Sequence, residues 1–171
     1  MQRRISLPAA VLAVLGIMAG AVPAKAQAGS AADKTAIQAL YRQFNDAFNK
    51  KDVDAIMAVY APDVFVFDVV PPRQYVGWDA YKKDWVDVFA TMPGPVTNAV
   101  TDLNITVVGP VAYTHYIADG SFTDKDGKQT HAVVRTTDVL RKIKGKWLIV
   151  EEHNSFPVDL ATGQADMLSK E

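Results

Sequence analysis

The sequence of 171 residues contains no cysteine. That absence excludes disulfides, thiol chemistry and every cysteine-containing metal site, so the fold must rest on its core alone. Histidine is scarce, with three residues and no H-x-H or H-x-x-x-H pair, so a metal centre is not indicated. No glycine-rich phosphate loop follows a strand and no serine sits in a nucleophile elbow, so no cofactor is expected. A basic stripe is also missing, which argues against nucleic acid as a partner.

The first residues read as a removable leader. Arg3 and Arg4 precede the apolar run "LPAAVLAVLGIMAGAV", which leads to "AKA" and "AQA". A basic start, a short apolar core and small residues before the cut describe a secretory signal peptide over 1–26, favoured over an uncleaved anchor helix. The expected location is periplasmic or secreted, with no membrane association after cleavage. Removing residues 1–26 leaves 145, enough for one ordinary domain. The leader takes Arg3, Arg4 and Lys25, so 18 basic and 19 acidic residues become 15 and 19, a net charge of −4.

Helical periodicity dominates the next part. In "DKTAIQALYRQFNDAFNKKD", Ile37, Leu40, Tyr41, Phe44, Ala47 and Phe48 fall on one face, with Asp33 as the expected N-cap. Asp52 should cap a second, shorter helix striped by Val53, Ile56, Met57 and Tyr60 and ended by "AP" at 61–62. "DVFVFDVV" (63–70) reads as a strand. Trp78, Tyr81, Trp85, Val88 and Phe89 mark a third helix. Four strand-like runs follow, 97–109, 111–122, 129–142 and 146–156, and then a polar, flexible tail, 158–171. Helices first and a strand meander last imply an α+β domain over 33–157. A strongly curved antiparallel sheet should wrap around three N-terminal helices as a cone, a natural small-molecule pocket.

The last two runs, "RTTDVLRKIKGKWLIVEEHNSFP", form a hairpin around Lys144-Gly145. A three-residue bulged turn would pair Arg141 with Trp147, Val139 with Ile149, Thr137 with Glu151 and Arg135 with His153. Side chains alternate along a strand, so Arg135, Thr137, Glu151, His153 and Ser155 share a face with Trp147 and Ile149. The other face carries Val134, Leu140, Leu148 and Val150, with Asp138, Glu152 and Asn154. We expect the His153 face to point inward as a polar pocket floor. Arg135 would hold an anion there, and Glu151 and His153 would bind or move a proton. The alternative is a satisfied cross-strand network that fixes register at a dimer interface. Asp68, ending the first strand before a Pro-Pro loop, is either a pocket base or a turn cap. His115, Tyr41 and Trp85 complete the candidate ligand contacts.

The order and spacing of these segments resemble the nuclear transport factor 2-like superfamily. It contains ketosteroid isomerase, SnoaL-like polyketide cyclases and the hub domain of calcium/calmodulin-dependent kinase. "FNDAFNKKDVDAIMAVYAPDVFVFD" is similar to its helix–helix–strand opening, "VGWDAYKKDW" to its third helix, and the closing hairpin to its "dGkW-x-x-x-x-x-H-x-S" pattern. The isomerase resemblance implies a base at Asp68. It puts Phe44 where that enzyme has a helix-one Tyr, and it puts the late-strand acid near Thr137, so one of three roles is retained. Taken with the leader and the half-apolar outer sheet face, the resemblance leads to the expectation of an exported, homodimeric small-molecule-binding protein. An isomerase-, cyclase- or hydrolase-type enzyme using Asp68 or His153 as proton shuttle stays open beside it.

Overall fold

The computed structural model describes residues 30–168. The leader read at 1–26 lies outside the described residues. Three helices come first: α1 (Ala31–Asn49), α2 (Val53–Met57) and, after two strands, α3 (Trp78–Thr91). The strands are β1 (Tyr60–Phe67), β2 (Tyr75–Val76), β3 (Val96–Val108), β4 (Val111–Thr123), β5 (Gln129–Ile143) and β6 (Lys146–Ser155). They form one curved, unclosed sheet in the order β2-β1-β6-β5-β4-β3. The α+β cone is as expected, but the sheet is mixed. β1 runs parallel to β6, because the whole meander lies between them in the chain.

Local chemistry explains most of the element boundaries. Ser30, not Asp33, caps α1: Ser30 Oγ accepts from the Asp33 amide and donates to the Asp33 carboxylate. Asp33 is freed to accept from Lys142 Nζ at 2.7 Å and Trp147 Nε1 at 3.0 Å, tying α1 to the hairpin. These donors hold its pKa far below the usual carboxylate range, with the Lys142 bond the largest cause. Asp52 caps α2 as expected, accepting from the Ala55 amide at 3.0 Å. That helix stops at Met57, before the "AP" signal, because Tyr60 is drawn into the sheet opposite Ile149. Pro62, which cannot donate a ladder hydrogen bond, falls in the register irregularity between Tyr60 and Phe65.

One face of the sheet packs against the helices. Ala112, Thr114 and Tyr116 of β4 point in, and so do Thr136, Asp138 and Leu140 of β5. They meet Ile37, Leu40, Tyr41 and Phe44 of α1, together with Ile56, Met57 and Tyr81. An aromatic cluster of Phe44, Phe48, Trp85 and Phe89 closes the space between α1 and α3 in edge-to-face and tilted contacts. Past β6 the chain folds back, and the Val133 amide donates to Met167 O at 2.8 Å, so the tail continues the pairing of β5 where β6 ends.

The hairpin register differs from expectation. Lys144 and Gly145 both have positive φ, 49° and 85°, which makes a two-residue turn with Ile143 opposite Lys146 and Lys142 opposite Trp147. The bulge lies further on: Leu140 pairs with Ile149, but Val139 pairs with Glu151, leaving Val150 as the extra residue. Trp147 and Ile149 are therefore buried on the same side as Glu152, while Glu151 and His153 face out.

Candidate active site

The bulge decides which ionisable groups enter the core. Beyond it Asp138 and Glu152 are direct cross-strand partners, both facing the helices, with 0% and 2% of their surface exposed. Like charges placed opposite each other in a buried sheet face repel and cannot be solvated. Both carboxyls are pushed up from their ordinary range, Asp138 well up, first by burial; the Glu152 charge adds to the rise at Asp138. Burial and the opposed Glu152 charge thus favour the neutral form of Asp138.

Four tyrosines surround the pair. Tyr41, 2% exposed on α1, donates to Asp138 Oδ2 at 2.6 Å and also bonds Thr114. Tyr60 donates to Glu152 Oε2 at 2.6 Å, and Tyr81 lies 2.7 Å from Glu152 Oε1. Tyr116 packs edge-on against Tyr41 with ring centroids 5.0 Å apart. Asn154 Nδ2 donates to Glu152 Oε1 at 2.8 Å, and Thr136 fixes that amide by donating to its Oδ1 at 2.7 Å. Two buried side-chain atoms among the described residues have no partner: Asp138 Oδ1 and Trp85 Nε1. Tyr41 holds Oδ2, and Oδ1 is left as a buried oxygen with no hydrogen-bond partner among the described residues.

Asp68 follows β1 at the edge of this cluster. Its Oδ2 lies 3.1 Å from the Tyr81 hydroxyl and its Oδ1 accepts from the Val69 amide. Burial raises its pKa, opposed by those hydrogen bonds. Nearby, burial raises Asp84 to about 6, although the Tyr75 hydroxyl sits 2.6 Å from its Oδ1. The buried ionisable side chains among the described residues are acids, and no Lys, Arg or His is buried with them.

Two open grooves border the cluster. One, of about 380 Å³ between α1 and β3, has Tyr41 in its wall with Arg42, Asn45, Val100 and Leu103. The other, of about 460 Å³ at the start of α3, is lined by Tyr60, Pro62 and Trp78.

The expected site residues divide between the two faces. Tyr41, Trp85 and Asp68 belong to the interior. His153, Arg135, Glu151, Thr137 and His115 do not: all five are exposed on the outer face of the sheet. There Thr137 stands between His115 and His153, and the His153 ring meets Phe67 edge-on at 5.6 Å. The expected inward orientation is corrected by the bulge at Val150, which separates these residues from Trp147 and Ile149. Thr137 is also corrected as the counterpart of the late-strand acid; Asp138, one residue on, turns inward and meets Tyr41, one helical turn before Phe44. The groups missed as site residues are Asp138, Glu152, Tyr60, Tyr81, Thr114 and Asn154. The signal for them was parity, since Asp138 alternates with Val134 and Leu140 on an otherwise apolar face.

Comparisons with known proteins agree with this architecture. The family described as SnoaL-like domain matches residues 37–159. A nuclear transport factor 2-like protein of unknown function from Pseudomonas putida KT2440 is 27% identical, with a TM-score of 0.76 over 83% of this chain and 99% of that one. A nuclear transport factor 2-like superfamily protein from Salmonella enterica serovar Typhimurium is 19% identical, with a TM-score of 0.70 over 80% and 99%. A ketosteroid isomerase-like protein from Erwinia carotovora atroseptica is 24% identical, with a TM-score of 0.62 over 71% and 93%, a likeness of fold. No curated protein matches the chain. With its cone of helices and curved sheet and a family match that spans most of its length, this chain belongs to the SnoaL-like family of the nuclear transport factor 2-like superfamily.

Proposed function

We propose that this is an exported small-molecule-binding protein whose buried acid–tyrosine cluster performs cofactor-independent proton transfer on a carbonyl compound. The observation that carries the reading is Asp138 Oδ1, a buried oxygen without a partner on a carboxyl that Tyr41 holds. A carboxylic acid kept neutral at pH 7 can donate to a carbonyl oxygen and stabilise the enolate that forms there. Asp68, across Glu152 from that donor, is the base. The ligand approaches along the groove between α1 and β3, whose volume suits a small organic molecule. Leader cleavage within the first 28 residues is part of the proposal and is checked by the N-terminus of the mature protein.

The test uses α-proton exchange of a β,γ-unsaturated cyclic ketone in D2O, followed by NMR. The protein should accelerate exchange, and Asp68→Asn should slow it by about 10²–10⁴-fold. Exchange at the buffer rate, or an unchanged rate in Asp68→Asn, would remove the reading. Simple binding is favoured by one observation, the unpartnered Trp85 Nε1, which could bond a ligand acceptor without chemistry. In that case the ketone raises the melting temperature by mass action and its protons do not exchange.

The proposal includes a homodimer formed through the outer sheet face. Val111 and Tyr113 are 41% and 49% exposed there, and Arg135 and Glu151 share the face, so a two-fold axis can set opposite charges against each other. Light scattering should give twice the chain mass, and Tyr113→Glu should give the monomer. A wild-type monomer at micromolar concentration would end this part of the proposal.

A further inference from the structure

The Tyr81 hydroxyl touches two carboxyl oxygens, Asp68 Oδ2 at 3.1 Å and Glu152 Oε1 at 2.7 Å. A phenol has one hydrogen to give and lone pairs to accept with. With both carboxyls ionised, one of these contacts sets a lone pair against an anion in a buried site. With one proton on the pair, both contacts are hydrogen bonds. Two arrangements satisfy the geometry. In the first, Asp68 carries the proton and donates to Tyr81, which donates to Glu152. In the second, Glu152 carries it and donates to Tyr81, which donates to Asp68.

We propose that Glu152 is the proton store for Asp68, with Tyr81 as the bridge that passes a single proton between them. The step balances: the Asp68 O–H bond breaks as its hydrogen joins the Tyr81 oxygen, and the Tyr81 hydrogen leaves for Glu152 Oε1. One proton has moved, one negative charge has moved the other way, and Tyr81 is unchanged. With the proton on Glu152, Asp68 is a carboxylate at the edge of the site and can act as a base. With it on Asp68, the same residue is an acid that can protonate a ligand, and both carboxyls are then ionised until a proton abstracted from the ligand returns to the pair. Asp68 then needs no solvent proton to change roles.

The surroundings hold the store in place. Tyr60 from β1 and Asn154 from β6 donate to Glu152, leaving only Tyr81 as an outlet. Asp138 from β5 opposes it, Tyr41 from α1 and Tyr116 from β4 lie behind, and Asp84 from α3 adds negative charge beside Asp68. No Lys, Arg or His among the described residues forms an ion pair with Glu152, so a proton is what completes its environment.

This inference rests on the proton-transfer reading, but its test needs no ligand. Carboxyl-labelled aspartate and glutamate report the titration of Asp68 and Glu152 by ¹³C NMR on the whole protein. The two resonances should move together in two shared steps, as coupled sites do. Tyr81→Phe keeps the ring and removes the bridge, and should leave Asp68 with a single step of its own, while Glu152 shares steps only with Asp138. Glu152→Gln, which keeps the shape but cannot store a proton, should reduce Asp68 to one step even if Tyr81→Phe does not fold. Independent single steps in the wild type, or steps still shared by Asp68 and Glu152 in Tyr81→Phe, overturn the store. Ketone exchange can still stand in that event, and the converse holds, so the two failures are distinguishable.

Discussion

Raising the pH from about 5 to about 8 is expected to destabilise this protein, where many proteins change little. Burial raises the pKa values of both Asp138 and Glu152 inside the fold, helped at Asp138 by the Glu152 charge and at Glu152 by the Asp68 charge. In the unfolded chain the same groups titrate at about 4. Between those limits the folded state holds protons that the unfolded state has released. Stability is therefore complete below the unfolded values and is lost as pH rises toward the folded ones, by about 1.4 kcal/mol per pH unit for each proton held. Asp84, raised to about 6, acts in the same direction over the lower part of that range. Asp33 and Asp63 act oppositely, since Lys142 and Arg141 lower them, but their contribution is lost only below the ordinary carboxylate range. Calorimetry at the two pH values should give the higher melting temperature at pH 5, and Asp138→Asn should flatten the difference. A melting temperature that climbs from pH 5 to pH 8 would falsify the neutral-acid core.

The second large effect concerns the acceptor that Glu152 provides. Glu152→Ala leaves the Tyr60 hydroxyl and the Asn154 amide without this acceptor in a buried space, and leaves Tyr81 with Asp68 alone. Each orphaned donor costs about 1–3 kcal/mol, and the vacated volume adds a cavity penalty. The expected loss is on the order of 5 kcal/mol, comparable with the whole stability of many domains. Glu152→Gln keeps one oxygen acceptor and nearly the same volume, and should lose about 1–2 kcal/mol. Urea unfolding separates the two variants. If they lose equal amounts, packing rather than hydrogen bonding fixes that position.

Strand and helix positions were legible because the periodicities are strong. Ile37, Leu40, Tyr41, Phe44 and Ala47 are all buried, at the helical spacing that singled them out. The strand ends read near 97–109, 111–122, 129–142 and 146–156 fall within one residue of those observed. Which hairpin face points in was not legible. Strict alternation carries Trp147 and Ile149 along with Glu151 and His153, and the apolar pair pulls the whole set inward. Nothing local marks Val150 as a bulge, since Val is an ordinary strand residue; the break follows from fitting Trp147 against Asp33 and Tyr60 beside Ile149 at once. Turning the His153 face inward puts the acids at 138 and 152 outside, since alternation sends the two sets to opposite faces. Their burial becomes tolerable only when tyrosines from three other elements arrive, and no window of sequence contains those partners.

The bulge has a consequence for how the chain can change length. β6 carries one residue of slack at Val150, just ahead of Glu152. A chain shortened there would straighten into regular alternation with Ile149 and Glu152 still directed at the helices. The position of the acid in the core is thus insulated from a single deletion upstream of it, and lineages can trim the hairpin without rewriting its inner chemistry.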